Sequence, residues 1–489
     1  MLTIQTQHPA VAKTDILVLA AFEDQAAYSD PQLQELADRA RDWPEFSGKS
    51  GDELIFYDLQ GVKAKRVLIL GLGNSGKADR ETVRKAAGKA VDRAVEADLA
   101  SVLICPPESL SGEKGRAGAA EAMMEGAVLS NYRFDLYKKE KKHKPVKTVW
   151  FYADNRFADQ ARRMAEKTWT ICQGTLLARD WVSMPPNEKR PAGFARSIAK
   201  AAGKEPLETM ILDSGDLKKN RMRALLSVAS GSSSRAQMVV LDYRPQSWKK
   251  TIVLVGKGVT FDSGGINIKP ASGLEGMKQD MAGAAAVAAT LICAARTGFN
   301  QRLVGVLPLV ENMPSGTAYR PGDIVKTASG KTVEIGNTDA EGRMILADAL
   351  DYAIRQYSPD VVIDLATLTG ACIVALGEKI AGVFSRDSQL SDLIAESGKK
   401  THERCWPMPV PEDYRELLKS DFADIRNVGK NRWGGAIAAA LFLSEFVGDT
   451  RWAHIDIAGP AFASKANDYC RPGGTGFGVR LLMETIGKL

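Results

Sequence analysis

The sequence predicts an α/β protein of two domains, each a mixed, largely parallel sheet flanked by helices, joined by a long connecting helix. Three observations predict it. A chain of 489 residues exceeds what one ordinary core encloses. Strand-like apolar runs alternate with helix-period segments in both halves, which is how parallel sheets are built. Between the halves, Met164, Ile171, Cys172 and Leu176 recur at helical spacing, up to Met184-Pro185-Pro186-Asn187, where two prolines stop helix propagation. The expected division is 1–160 for an accessory α/β domain, 161–186 for the connecting helix and 187–489 for the domain that carries the chemistry.

In the first domain the opening residues read as a strand, a polar turn and a second strand. The strand candidates are Asp15–Ala20, Glu53–Tyr57, Arg66–Leu70, Ser101–Cys105 and Thr148–Tyr152. Helical patterns cover Pro31–Arg41, Asp79–Ala97 and Glu113–Ser130. In the second domain, buried-strand runs are Gln237–Tyr243, Thr251–Val255, Leu303–Leu309, Val361–Leu365 and Trp452–Ile457. Met281–Arg296 is a small-residue helix suited to close packing on a sheet, and Glu341–Tyr357 and Ala436–Val447 are amphipathic helices. Glycine-rich turns bearing charged residues separate these elements, and such turns are where α/β proteins place their chemistry.

Composition narrows the function. Apolar residues at 45% and charged residues at 25% are those of a globular chain. No run approaches the roughly 20 apolar residues that span a bilayer, and the N-terminus lacks a signal-peptide pattern, so the expected location is the cytoplasm. The six cysteines are scattered without a CxxC pair, which argues against disulfides and thiolate zinc and for buried reduced thiols. The four histidines form no HExxH, which argues against a histidine-liganded protease; any metal must be held mainly by oxygen. The net charge of +6 is mild. The run Lys138-Lys139-Glu140-Lys141-Lys142-His143-Lys144 has no interleaved aromatics and reads as a solvated loop.

Three motifs have ordinary explanations. Gly71-Leu72-Gly73-Asn74-Ser75-Gly76-Lys77 follows a strand like a nucleotide-binding loop, but Ala78 stands where a P-loop needs a hydroxyl, and a tight strand-to-helix turn accounts for the glycines. Asp262-Ser263-Gly264-Gly265 echoes the nucleophile segment of trypsin-like proteases without their β architecture or a suitable upstream histidine. His454 opens a buried strand and reads as a histidine satisfied in the core.

The remaining charged turns gather more. Lys257 and Asp262 follow a buried strand, then come Lys269, Asp280, and Asn337-Thr338-Asp339-Ala340-Glu341-Gly342-Arg343 opening a helix. Singly, each charged residue is a strand-end ion pair, a turn aspartate or a helix cap. The Asp339/Glu341 spacing turns both carboxylates to one side of an extended segment. On spacing alone, a metal site and unrelated ion pairs are equal readings.

Together these segments resemble the leucine aminopeptidase (cytosol aminopeptidase) family. The family pattern asparagine-threonine-aspartate-alanine-glutamate-glycine-arginine-leucine stands at Asn337 to Met344, with Met344 for leucine. The likeness continues through Asp364-Leu365-Ala366-Thr367-Leu368-Thr369-Gly370, Trp452 to Gly459, and Gly473 to Gly478; the first domain matches in architecture and length. The resemblance implies two divalent ions, Mn²⁺ or Zn²⁺ with Mg²⁺ or Co²⁺ as alternatives, ligated by Lys257, Asp262, Asp280, Asp339 and Glu341. Asp262 and Glu341 would be shared between the ions, while Lys257 and Asp280 would belong to the more tightly held one. Lys269 and Arg343 match the two catalytic positions.

The residue types suit that chemistry. Four carboxylates balance two divalent cations, whereas without metal they would repel and shift one another's pKa values. A lysine ligand must lose its proton, at a cost of about 4–5 kcal/mol at neutral pH from a reference pKa near 10.4. The implied activity is release of N-terminal residues from peptides by activated-water attack, leucine preferred but not exclusively. Lys269 would stabilise the oxyanion and Arg343 would hold bicarbonate as general base. Met277, Thr367, Leu368, Thr369 and Gly370 resemble the lining of the first side-chain pocket. The resemblance also implies a homohexamer acting on peptides, and an additional DNA-binding role is the alternative function that some bacterial members carry and the basic balance accommodates.

Overall fold

The structure, a computed structural model, describes residues 2–108, 110 and 115–489. The chain forms two compact units: Met1–Gln173 with Ser464–Pro472, and Gly174–Ala463 with Gly473–Leu489. The first boundary falls inside the 26-residue helix Ala158–Ser183, which ends one residue before the Met184-Pro185-Pro186 stop.

The first unit contains β1 (Leu2–Gln5), β2 (Ile16–Ala21), β3 (Glu53–Tyr57), β4 (Arg66–Gly71), β5 (Ser101–Ile104) and β6 (Thr148–Tyr152) in the order β1-β6-β5-β2-β4-β3. All pairings are parallel except β3 with β4. The central β2, ILVLAA, is buried along its whole length, as a strand covered on both faces must be. Helix Arg80–Glu96 is opened by a capping box in which Asp79 accepts from the Thr82 N–H and Thr82 returns the bond. Helix Gly115–Ser130 carries the pattern expected from residue 113; Glu113 and Lys114 lie outside the described residues. The expected helix Pro31–Arg41 ends at Asp38 and tightens into a 3₁₀ turn, Arg39–Asp42.

In the Gly71–Lys77 loop the Asp24 carboxylate accepts the Ser75 N–H at 2.8 Å, the Ser75 hydroxyl at 2.9 Å and the Asn74 amide at 3.0 Å. These donors of the loop are thus satisfied by a carboxylate of the chain itself. The run 138–144 is exposed throughout.

The second unit contains β7 (Glu208–Leu212), β8 (Gln237–Tyr243), β9 (Thr251–Gly256), β10 (Gly258–Asp262), β11 (Arg302–Asn312), β12 (Ile324–Lys326), β13 (Thr332–Glu334), β14 (Val361–Ala366), β15 (Ala381–Phe384), β16 (Cys405–Met408), β17 (Ile425–Arg426) and β18 (Arg451–Asp456). Its large sheet runs β16-β15-β18-β14-β9-β11-β8-β7, with β10 added beside β11; β12, β13 and β17 form a small separate sheet. The centre, β18-β14-β9-β11, is parallel, so the carboxyl ends of β9 and β14 open on the same edge. Helix Ala282–Arg296 is buried from Ala282 to Ala295, because its alanines and glycine let it lie close on the sheet. The expected helix Ala436–Val447 runs Gly435–Ser444; the N–H groups of Glu445 and Phe446 bond three residues back, tightening the last turn.

Both sheets are parallel-rich and helix-flanked, as the alternating pattern predicts. The short strands β7, β10, β15 and β16 were not expected. Each holds four or five residues, too few to set a periodicity apart from neighbouring turns. All six cysteines are buried, and none is joined in a disulfide. Among the described residues no helix is long and apolar enough to cross a membrane.

Candidate metal centre

Lys257 is the first residue beyond β9. Its N–H donates to Leu365 O on β14 at 3.0 Å, and its carbonyl accepts from Ala284 N at 2.9 Å in the first turn of helix Ala282–Arg296. The backbone thus aims the side chain at the carboxyl edge of the sheet, where it is 2% exposed. Its Nζ lies 2.8 Å from Asp280 Oδ1 and 2.8 Å from Glu341 Oε1, and donates to Thr367 O at 2.8 Å. Gly342 makes room for it: a Cβ there would stand 2.7 Å from Lys257 Cε.

Asp262 ends β10. Its Oδ1 accepts from Gly264 N at 2.9 Å and Asn312 Nδ2 at 2.8 Å, while Oδ2 meets Lys269 Nζ at 2.8 Å. Lys269 Nζ also contacts Asp339 Oδ1. The chain reaches Lys269 through Gly264, whose φ of +88° is a left-handed conformation that glycine adopts freely. Asp339 sits in the turn before helix Glu341–Tyr357, its N–H held by Asn337 Oδ1 at 2.8 Å.

Five segments therefore converge on one place. Asp262, Asp280 and Glu341 are buried, and each offers an oxygen within 4.8 Å of the others. Asp280 Oδ2 and Glu341 Oε2 are buried without a hydrogen-bond partner. Buried carboxylate oxygens are not left so unless something else satisfies them, and hard oxygen donors with one amine suit divalent cations.

The electrostatics agree. Burial pushes the Asp280 carboxyl well above the usual range, with Glu341 and Asp262 adding to the rise against the pull of Lys257. Burial and Asp262 raise Asp339 to about 6, despite Lys269. For Lys257, burial opposes the charge, but Asp280, Glu341 and Asp262 outweigh it and hold the ammonium above its ordinary value. Lys269 is raised in the same way, burial being overcome by Asp262 and Glu341. Crowded acids and bound ammonium groups mark a site short of positive charge.

Arg343 lies in the first turn of helix Glu341–Tyr357, buried, with Nη1 donating to Asn427 O at 2.6 Å and Nε without a partner. Burial lowers its guanidinium to about 10. Asn427 also receives the N–H groups of Gly336 and Asn337 at 2.7 and 3.3 Å, tying Arg343 to the same turn as Asp339.

The proposed pocket residues adjoin this cluster. Met277 begins the 3₁₀ turn Met277–Gln279 that delivers Asp280, and Thr367 Oγ1 donates to Asp280 Oδ1 at 2.8 Å. Asp456 at the end of β18 accepts from Leu368 N at 3.1 Å and Thr369 Oγ1 at 2.7 Å, setting the turn that leads to exposed Gly370.

Asn312, Asn427 and Asp456 were missed by sequence reasoning. Asn312 and Asn427 stand in no quoted motif, Asp456 lies in the Trp452–Gly459 stretch without a role assigned to it, and their partners here are 26 to 90 positions away. His454 is fully buried, with Nδ1 2.6 Å from Asp364 Oδ1 and its ring stacked on Phe384, but Nε2 has no hydrogen-bond partner, so only one of its two nitrogens is satisfied in the core. The Ser263 hydroxyl donates to Asn312 O at 2.7 Å and is not poised as a nucleophile.

Comparison with known proteins addresses both halves. Residues 176–483 match the model for the cytosol aminopeptidase family, catalytic domain, and residues 19–141 match that family's N-terminal domain. A probable cytosol aminopeptidase of Geobacter sp. (strain M21) is 43% identical over 490 residues, covering 99% of each chain. One from Roseiflexus castenholzii is 40% identical over 489 residues, covering 99% of this chain and 98% of the relative. The solved structure described as bottromycin maturation enzyme BotP in complex with Mn superposes with a TM-score of 0.86 at 36% identity, covering 97% of this chain and 99% of that one. Catalytic and N-terminal models both match, and relatives align end to end, so the chain belongs to the cytosol aminopeptidase family.

Proposed function

We propose that this metal-dependent aminopeptidase releases N-terminal residues from peptides, with leucine preferred and others accepted, using two divalent cations. Lys257, Asp262, Asp280, Asp339 and Glu341 would hold them. The observation that carries this reading is the buried convergence of Asp262, Asp280 and Glu341 with two unpartnered carboxylate oxygens. Manganese is named with a solved relative, and Mn²⁺ or Zn²⁺ is the pair proposed here. When bound, the cations supply Lewis acidity and lower the pKa of water.

The chain's own groups do the rest. Lys269, held beside the cluster by Asp262 and Asp339, would present its ammonium to the oxygen that becomes negative as the first peptide carbonyl turns tetrahedral. Arg343, with an unpartnered Nε at a helix N-terminus, would hold a bicarbonate, which would supply a base beside the site. Met277 and Thr367–Gly370 enclose the first side chain; one methylene discriminates by only about 1–3 kcal/mol in such a pocket, which makes the preference broad. The proposed setting is the cytoplasm and the proposed assembly a homohexamer.

Hydrolysis of leucine amide should vanish with a chelator and return with Mn²⁺ or Zn²⁺. Activity that persists in the fully metal-stripped chain would refute the proposal.

A further inference from the structure

The carboxyl end of the β10/β11 ladder has two faces. Asp262 and Asn312 are register partners at the candidate metal centre, joined at 2.8 Å. The preceding pair, Phe261 with Glu311, points to the opposite face because side chains alternate along a strand. That face borders a cavity of about 560 Å³, lined by Phe261, Glu311, Met313, Ser232, Arg190 and Pro186 among others. A volume of a few hundred cubic ångströms is that of a small-molecule site.

The lining is chemically divided. Glu311 is half-buried and accepts from Ser232 Oγ at 2.5 Å; among the described residues it meets no cation. Arg190 is exposed at the rim and forms no ion pair among the described residues. Phe261, Met313 and Pro186 add half-buried apolar surface. One cavity thus offers a carboxylate and a rim guanidinium, neither ion-paired among the described residues, and an apolar wall.

We propose that this cavity is a second binding site for a free α-amino acid, the product class of the aminopeptidase reaction. Glu311 receives the ammonium, Arg190 the carboxylate, and Phe261 and Met313 the side chain. Occupancy slows turnover, because the ligand rests on the pair of residues next to Asp262 and Asn312. Binding itself does not depend on the two-metal reading; only the kinetic readout does.

The test is equilibrium binding of radiolabelled leucine to the Mn²⁺-loaded full chain, with leucine inhibition of aminoacyl-amide hydrolysis measured alongside. The expected result is two classes of site per chain and mixed inhibition. In the Arg190→Gln/Glu311→Gln double variant, one class weakens at least tenfold and inhibition becomes purely competitive, with the unfolding midpoint unchanged. On the wild-type chain, N-acetylleucine and 3-methylbutylamine, each lacking one charge, compete at the second class at least tenfold more weakly than leucine. This arm decides the matter if the double variant does not fold. A wild-type chain with no class of site that a folded double variant loses, or an analogue that competes as well as leucine, overturns the proposal. Two classes, one lost in the variant, without any hydrolysis would instead overturn the proposed catalytic function and leave this site standing.

Discussion

Gly342→Ala isolates the geometry that holds Lys257. In a helix, alanine ordinarily gains up to about 1 kcal/mol over glycine. Here the new Cβ would lie 2.7 Å from Lys257 Cε, 2.8 Å from Nζ and 2.9 Å from Cδ. Non-bonded carbons settle at roughly 3.5–4.0 Å, so the end of the lysine must retreat by about 1 Å. It is held by three contacts of 2.8 Å, to Asp280, Glu341 and Thr367 O. Losing one buried charge-assisted bond costs about 1.5–3 kcal/mol, which outweighs the helix gain and leaves a net loss of about 0.5–2 kcal/mol. Denaturant unfolding of the metal-free chain reads the sign. In a Lys257→Ala background nothing remains to collide with, and the same substitution should revert to a small gain; the cycle measures the coupling directly. Stabilisation by Gly342→Ala in the otherwise unaltered chain would refute this account.

Three further outcomes follow from the site and its surroundings. Cation affinity should rise with pH and fall as pH drops through about 6, where Asp339 takes up a proton; binding should release protons, since a ligating Lys257 must lose one, and calorimetry in buffers of different ionisation enthalpy that found no proton release would contradict it. Lys269→Ala should lower kcat by roughly 10²–10³-fold with little change in KM, and Arg343→Ala should abolish the rate gain from added bicarbonate; unaltered steady-state rates in either variant would remove its assigned role. Asp348 is buried and accepts the Leu225 and Ala328 N–H groups at 2.9 and 2.7 Å, and burial raises its carboxyl to about 7. A raised carboxyl contributes stability that is full below the unfolded value near 4 and is lost as pH climbs through about 7, at a slope of about 1.4 kcal/mol per pH unit. The stability gap between wild type and Asp348→Asn should therefore shrink with rising pH, and a gap constant from pH 4 to 8 would show that Asp348 does not titrate in that range.

Much of this protein could be read along the chain. Apolar runs such as ILVLAA at Ile16–Ala21 and TIVLVG at Thr251–Gly256 identify themselves as buried strands because burial on both faces demands unbroken apolar sequence. The Asn337–Met344 motif and the charged turns around it pointed to a shared site through family likeness. Spacing could not separate that from ion pairs, because distance along the chain does not encode distance in space.

Tertiary structure decided what depends on remote partners. Local sequence determined strands, helix periodicity and the supply of carboxylates and lysines. Folding determined that Asn312 orients Asp262, that Asn427 joins Arg343 to the Asp339 turn, that Asp456 sets the Thr369 turn, and that Gly342 leaves space for a lysine 85 positions earlier. It also brought Ser464–Pro472 back into the first unit. The physical reason is the same throughout: secondary structure answers to neighbours a few residues away, while a buried charge is tolerable only where distant segments close around it.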